Sequence, residues 1–142
     1  MGDLMSWVCP LMATSFPLKK ELLEARETAV GNDVVFLPNF RSSFNELFRK
    51  KIYTEQEIEY CEMFDEPMLR YASTWAAKES VYKAVKQLEN TKLGLKSIEI
   101  IRDKPSGRPE VILHKPGLCF TVSLSISHDG DYVWAIALVK RP

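Results

Sequence analysis

The spacing of apolar residues in the middle of the chain predicts one long helix, from about Pro67 to Asn90. Asp65 and Glu66 stand just before the proline, and acidic residues followed by a proline are a strong helix-start signal. At 100° per residue, one side of this helix carries an ordinary core stripe of Ala77, Val81, Ala84 and Leu88. This side is expected to pack against the rest of the domain.

The opposite side of the predicted helix mixes apolar and charged residues. Glu79 and Lys83 lie one turn apart there, beside Trp75, Ala72 and Ala76. The plain interpretation is an exposed i, i+4 ion pair, which stabilises a helix by only about 0.2–0.5 kcal/mol. The tryptophan and the alanines instead indicate that this side is also covered, which would place Glu79 and Lys83 in a site.

The segment before the long helix combines a strand with shorter helices. The sequence VGNDVVFL at 30–37 predicts a buried strand with one carboxylate, Asp33, inside it. Such a carboxylate is costly unless it is paired or binds a cation. Thr54 and Glu57 have the spacing of a capping box. A helix beginning at Pro38 and Asn39 is expected to turn four residues inward: Phe40, Phe44, Leu47 and Phe48.

After Gly94 the hydrophobic pattern changes to a period of two. It predicts strands at 97–103, 110–114, 120–127 and 132–139, the last two joined by a tight turn at 128–131. The fold class predicted is α+β, with a mostly antiparallel sheet packed against one long helix. Residues 1–29 lack this regularity, and we interpret them as an N-terminal extension of a domain at 30–142.

Length, charge and cysteine content narrow the classes of function. A chain of 142 residues is expected to form one domain with its own core. Its net charge is zero, so no overall field favours nucleic acid, and no basic tract favours a membrane surface. Its three cysteines are unclustered and odd in number, which favours reduced thiols in a cytoplasmic protein over disulfides or a zinc site.

Few residues remain that point to a particular chemistry. The two histidines, His114 and His128, have no metal-ligand partner at helical or strand spacing, and no nucleophile elbow, Walker loop or dinucleotide fingerprint occurs. Asp33, Glu79 and Lys83 offer two carboxylates and an ammonium, which suit a magnesium ion and a phosphate. His128, at a strand end, either donates to another phosphate or hydrogen-bonds its own turn.

Four motifs follow one another along the chain: GND at 31–33, WAAKESVYK at 75–83, SGRPEV at 106–111 and SISHDGDY at 125–132. In this order they closely resemble the motifs of the 4′-phosphopantetheinyl transferases. The length resembles the short holo-acyl-carrier-protein synthase class, which includes the transferase domain of fungal fatty acid synthases. The resemblance covers residues 30–139, and it is specific in combination although each piece alone is weak.

The resemblance implies a magnesium-dependent transfer from coenzyme A to a carrier protein. Asp33 and Glu79 would be the protein ligands of Mg²⁺, which also binds the pyrophosphate of coenzyme A, and Lys83 would contact that phosphate chain. A serine of the acyl carrier protein attacks the β-phosphate in line, and 3′,5′-ADP leaves. Glu79, or a water on the magnesium ion, would accept the serine proton.

The resemblance also implies how the nucleotide end of coenzyme A is held. His128, with Ser127 near it, would bind the 3′-phosphate, and the backbone of Gly107, Arg108 and Pro109 would line the adenine pocket. Short members of the family are trimers with coenzyme A in clefts between subunits. This chain is therefore expected to form a homotrimer with its sites at the subunit interfaces.

Two positions depart from the family pattern. Thr74 stands where many bacterial members have an arginine that helps bind the 3′-phosphate, and Asn39 replaces a basic residue that meets the acidic carrier protein. The nearest cations in the sequence are Arg70, one turn before Thr74, and Arg41. We expect Arg70 to contact the 3′-phosphate and Arg41 to contact the carrier protein.

Two other classes of protein stay open at this point. One is a module that binds coenzyme A or a carrier protein without catalysing transfer, although the intact Asp33, Glu79 and Lys83 argue against it. The other is a structural α+β domain without a site, which leaves the carboxylate in the first strand unexplained. A test for transfer separates the enzyme from both.

Overall fold

In the computed structural model of the chain, the structure describes residues 26–102 and 107–142. The predicted extension at 1–29 therefore lies mostly outside the described residues, as does Ser106 of the SGRPEV motif. The elements, in chain order, are β1 (Thr28–Phe36), α1 (Leu37–Ser43), α2 (Glu46–Ile52), α3 (Glu55–Glu62), α4 (Pro67–Leu88), β2 (Ile98–Arg102), β3 (Pro109–Leu113), β4 (Thr121–Asp129) and β5 (Tyr132–Lys140), with a 3₁₀ turn at Leu95–Ser97 before β2.

The strands form two antiparallel sheets. The larger sheet has the order β1-β5-β4, and the hairpin of β2 and β3 forms a second sheet of two strands. The helix α4 packs across the inner face of the larger sheet, to which β5 contributes Val133, Ala135, Ala137 and Val139, all buried. The predicted α+β class is confirmed, with the difference that the strands divide between two sheets.

Small residues bring α4 very close to β1. A Cβ atom added at Gly31 would lie 1.9 Å from the backbone oxygen of Ser80 and 2.8 Å from the backbone nitrogen of Ala84. Glycine is therefore required at this position by the approach of the helix backbone. The GND motif thus places Asp33, two residues further along the same face of β1, directly beside α4.

The helix predicted from Pro38 is divided into α1 and α2. The break falls at Phe44 and Asn45, and the Asn45 side chain caps α2 by accepting a hydrogen bond from the backbone nitrogen of Phe48 at 2.8 Å. The prediction that Leu47 faces inward is wrong, since Leu47 is 77% exposed. A new helical start at Asn45 changes the phase of every residue after it.

The break nevertheless allows α1 and α2 to cover the second side of α4. Phe40, Phe44 and Phe48 contact one another with ring centroids 5.6–6.1 Å apart. Phe48 also packs edge-on against Trp75, at 5.0 Å. The tryptophan side of α4 is thus covered within one chain, as its composition indicated.

The helix-start signals that the sequence predicts for α3 and α4 are present in the structure. The capping box is present, with the Glu57 carboxylate accepting from the backbone nitrogen of Thr54 at 2.8 Å and the Thr54 hydroxyl accepting from the backbone nitrogen of Glu57 at 3.2 Å. Pro67 stands in the first turn of α4. Among the residues that the structure describes, none forms a helix long and apolar enough to cross a membrane.

Candidate active site

Asp33 and Lys83 form the first part of the site. The side chain of Asp33 is 15% exposed and points from β1 toward α4, where the ammonium of Lys83 donates to its Oδ1 at 2.8 Å. The same ammonium donates to the backbone oxygen of Asn32 at 3.0 Å. Lys83 therefore pairs across the fold with Asp33, and the plain interpretation of a helical Glu79–Lys83 pair does not describe its hydrogen bonds.

Glu79 lies in the same site, and its carboxylate accepts no hydrogen bond from a described residue. Burial raises the pKa of the Glu79 carboxyl, the negative charge of Asp33 raises it further, and the charge of Lys83 opposes both. No donor to this carboxylate occurs in the ranges 26–102 and 107–142. Glu79 thus keeps a partly desolvated carboxylate close enough to Asp33 for the two charges to repel.

The two carboxylates open into one cleft of about 470 Å³. Aromatic rings and short polar side chains surround them, and the lining comprises Asp33, Val34, Val35, Phe36, Asn39, Phe40, Ser43, Trp75 and Glu79. An apolar wall beside charged groups lowers the local dielectric, which strengthens electrostatic contacts with whatever binds there.

The carboxylate pair fits a divalent cation. Carboxylate oxygens are the ligands that Mg²⁺ prefers, and proteins commonly bind it through one or two carboxylates together with substrate phosphates. No set of three or more histidine, cysteine or acidic side chains that could hold a metal is found in the described part of the chain. Asp33 and Glu79 would therefore supply two ligands and leave the remaining positions to substrate and water.

The other residues predicted for the site lie elsewhere in the single chain. Arg108 and Pro109 line a second cleft, of about 560 Å³, between β3 and β4, after Gly107 with its positive φ of 63°. In β4, His128 pairs with Val133 and Ser127 pairs with Trp134. Successive strand residues point to opposite faces, so His128 lies on the inner face and Ser127 on the outer face. None of these five residues lines the cleft that holds Asp33 and Glu79.

The departures from the family pattern have different surroundings. Thr74 is 1% exposed, and its hydroxyl lies 3.9 Å from the sulfur of Cys61, so this position belongs to the contact between α3 and α4. The guanidinium of Arg70 lies over the ring of Phe64, 4.1 Å from its centroid. Asn39 lines the cleft and Arg41 is exposed in α1.

Sequence reasoning missed one charged residue beside the site. Lys78, the lysine of the KES triplet, is completely buried, and its ammonium lies 2.8 Å from Oε2 of Glu57, which is 2% exposed. Burial lowers the pKa of Lys78 and raises that of Glu57, and each charge counteracts the shift of the other. The available signal was the position of Lys78 between the core residues Ala77 and Val81, where a lysine requires a buried partner.

Comparisons with known proteins agree with the motif resemblance. A model of the 4′-phosphopantetheinyl transferase superfamily matches residues 29–137. The holo-[acyl-carrier-protein] synthase of Chlorobaculum parvum is 39% identical over 114 residues, which are 78% of this chain and 97% of that protein. Fatty acid synthase subunit alpha of Candida parapsilosis is 35% identical over 124 residues, which are 82% of this chain but 6% of that subunit.

A solved structure shows the same fold. The Chronobacterium ammoniagenes ACPS–CoA complex matches with a TM-score of 0.71 at 26% identity, covering 82% of this chain and 99% of that one. The family model spans most of the chain, and the chain covers nearly all of a relative that is more than 30% identical to it. The chain therefore belongs to the 4′-phosphopantetheinyl transferase superfamily.

Proposed function

We propose that this chain transfers the 4′-phosphopantetheine group of coenzyme A to a serine of an apo-acyl carrier protein, in a reaction that requires Mg²⁺. The observation that carries the proposal is the carboxylate pair of Asp33 and Glu79 in one cleft, with Lys83 bound to Asp33. A holo-[acyl-carrier-protein] synthase among the relatives and a coenzyme A complex among the similar structures support it.

The proposed step is an in-line displacement at phosphorus. The carrier serine oxygen forms a bond to the β-phosphorus of coenzyme A, the bond from that phosphorus to the bridging oxygen breaks, and 3′,5′-ADP leaves with that oxygen. Magnesium held by Asp33 and Glu79 would neutralise negative charge on the phosphate oxygens. Lys83 adds a positive charge beside them, and its bond to Asp33 keeps its ammonium in place.

The serine proton also needs an acceptor. Glu79 is suited to this because burial and the neighbouring Asp33 raise the pKa of its carboxyl, which makes its ionised form a stronger base. Asp33 shares its charge with Lys83 at 2.8 Å and is the weaker candidate. We propose Glu79 as the proton acceptor.

A mass measurement tests the function directly. The protein is mixed with coenzyme A, Mg²⁺ and several apo-carrier proteins, and intact masses are read for each carrier. The proposal predicts one added phosphopantetheine per carrier and equimolar 3′,5′-ADP, with no addition to a carrier whose acceptor serine is replaced by alanine. Binding of coenzyme A without any mass change would indicate the non-catalytic module.

We further propose that the active form is a homotrimer. In the single chain the outer face of the larger sheet exposes seven apolar side chains, each 38–57% exposed: Val30, Val34, Phe36, Tyr132, Trp134, Ile136 and Leu138. An apolar surface of this kind is typical of an interface. Further copies of the chain would cover it, and they would also allow residues 107–109 of one copy to approach the carboxylates of another.

Replacing Trp134 by glutamate is expected to dissociate the trimer, because the substitution puts a charge in the centre of that apolar face. Sedimentation equilibrium measures the mass of each variant, and a transfer assay at the same concentration measures its activity. Leu47→Glu is the matched control for mass, since Leu47 is 77% exposed on α2, away from the sheet. A wild-type protein that is fully active as a monomer would contradict the prediction.

We propose that Arg70 and Arg41 act on different substrates. The Arg70 guanidinium stacks on Phe64 and forms no ion pair with any described residue, so its N–H groups stay available to a phosphate. Arg70→Ala is expected to raise the KM for coenzyme A about tenfold. Arg41→Ala is expected to raise the KM for the carrier protein and to weaken its salt dependence. Each variant controls for the other, and unchanged values in both would reject these assignments.

We also propose a cytoplasmic location. Cys61 and Cys119 are free thiols, and Cys119 is exposed. Exposed free thiols are typical of compartments that keep cysteines reduced.

A further inference from the structure

The ion pair between Glu57 and Lys78 connects α4, the helix that carries Glu79, to α3 and to the start of β2. The Lys78 ammonium donates to Oε2 of Glu57 at 2.8 Å, to the backbone oxygen of Ile98 at 2.6 Å and to that of Leu95 at 3.1 Å. Glu57 in turn accepts from the backbone nitrogen of Ile100 at 2.8 Å. All three ammonium hydrogens are therefore used, and α3, α4 and the start of β2 are tied at one point.

Stability alone is a weak reason for such a pair. Two charges with 0% and 1% of their side chains exposed have lost nearly all of their hydration. A buried ion pair usually contributes no more than apolar side chains of the same volume would, whereas removing one partner is strongly destabilising. Its hydrogen bonds form together only when the ammonium points at all three acceptors. The pair therefore restricts the rotation of α4 about its own axis.

A second contact holds α4 against the larger sheet. Where α4 crosses the larger sheet, its backbone at Ser80 and Ala84 lies directly against Gly31 of β1. This contact sets the distance between α4 and β1, and the pair of Glu57 and Lys78 adds a second fixed point, against α3 and β2. Glu79 follows Lys78 directly, so a rotation of α4 that moves one residue moves the other.

We propose that Glu57 and Lys78 are positioning residues, whose buried pair sets the rotation of α4 and thereby the placement of Glu79 beside Asp33. The same pair holds β2, and with it the hairpin that carries residues 107–109. The proposal rests on the proposed function, because it concerns how the chain binds a divalent cation and coenzyme A. Neither residue touches the substrate in this assignment.

Three variants separate positioning from stability. Glu57→Gln and Lys78→Met each leave a buried charge or its acceptors without a partner, and the double variant removes both charges. Lys86→Met is the matched control, since Lys86 also lies in α4 and donates to a backbone oxygen, that of Thr91, at 2.8 Å, but has no part in the site. Circular dichroism measures the thermal midpoint of each variant, and calorimetry measures its affinity for coenzyme A. Mn²⁺ replaces Mg²⁺ as the probe of the metal site, and its affinity is measured by electron paramagnetic resonance.

The double variant gives the decisive result. Its thermal midpoint is expected to lie above that of the less stable single variant, because no charge is left unpaired, although the backbone oxygens of Leu95 and Ile98 still lack a donor. Its affinities for Mn²⁺ and coenzyme A are expected to stay about 10- to 100-fold below those of the wild-type protein, as is typical when groups that orient metal ligands are lost. Lys86→Met is expected to bind both ligands as the wild-type protein does.

Other results would overturn the proposal. If the double variant regains both its midpoint and its affinities, or if less stable single variants bind Mn²⁺ and coenzyme A with wild-type affinity, the pair is structural only. Should the single variants fail to fold, the double variant decides in the same way. A wild-type protein that binds neither ligand would count against the proposed function itself, which is a different outcome from equal binding by all variants.

Discussion

Replacing Glu79 by glutamine is expected to lower the rate of transfer by about 10²-fold or more while leaving the fold intact. Glutamine keeps the volume and removes the charge, so the variant loses a ligand for the divalent cation and the proposed proton acceptor together. The rate is measured with saturating coenzyme A and carrier protein, and the fold is checked by circular dichroism. Because both losses fall on the reaction step, kcat should fall more than either KM rises.

The stability of this variant has a predictable sign. The pKa of Glu79 is raised in the folded protein, so its ionised form opposes folding at any pH above that pKa. Removing the charge should therefore leave the thermal midpoint at neutral pH unchanged or slightly higher. A fall in activity without a fall in midpoint assigns the effect to the reaction.

Metal removal and a surface variant complete the experiment. EDTA should abolish transfer by the wild-type protein, and added Mg²⁺ should restore it. Glu59→Gln, on the exposed side of α3, makes the same chemical change outside the cleft and is expected to retain wild-type activity. Undiminished transfer by Glu79→Gln would remove Glu79 from the active site.

Signals encoded within a few residues could be predicted from the sequence. The capping box of Thr54 and Glu57, the start of α4 at Pro67 and the alternating strand β4 all appear in the structure, because each depends on neighbours along the chain. The prediction that Leu47 faces inward is wrong because it leaves out one such local signal. The interruption at Asn45 is a competing local signal, and overlooking it shifts the phase of the helix that follows.

The partners of the charged residues could not be predicted from spacing. Lys83 lies four residues after Glu79 in one helix, yet it bonds to Asp33, which is 50 residues away in sequence. Lys78 likewise binds Glu57, a residue for which the sequence predicts only a role in a capping box. Sequence spacing reports which residues share a helical face, whereas the choice of partner is decided by which elements pack against that face.

The motifs that this chain shares with the family include residues that do not line the cleft of Asp33 and Glu79 within a single chain. Ser127 and His128 are neighbours in sequence, but the alternation of a strand sends their side chains to opposite faces of the sheet. A motif records which residues serve a function, and it does so even when they come from different copies of a chain. That Ser127 and His128 do not line the cleft of Asp33 and Glu79 is therefore consistent with the proposed trimer.

Replacing Gly31 by alanine is expected to have an effect as large as that of removing Glu79, although Gly31 carries no functional group. The added Cβ would meet the backbone oxygen of Ser80 at 1.9 Å and the backbone nitrogen of Ala84 at 2.8 Å. Both atoms belong to the backbone of α4, so no side-chain rotation can relieve the clash. The helix must move away from β1, and overpacking of this kind costs about 1–3 kcal/mol of stability.

The displacement acts directly on the carboxylate pair, since Glu79 precedes Ser80 in α4 and Asp33 follows Gly31 by two residues on the same face of β1. A misplacement of about 1 Å can cost about 10²-fold in rate, so we expect transfer to fall by at least that factor in protein that remains folded.

Gly94→Ala is the matched control, because its Cβ would meet only the Ser97 hydroxyl oxygen, at 3.9 Å. Mn²⁺ affinity, measured below the thermal midpoint of each variant, reports the separation of the carboxylates independently of the carrier protein. If Gly31→Ala is less stable but binds Mn²⁺ and transfers at the wild-type rate, the close contact between β1 and α4 supports the fold without setting the geometry of the site.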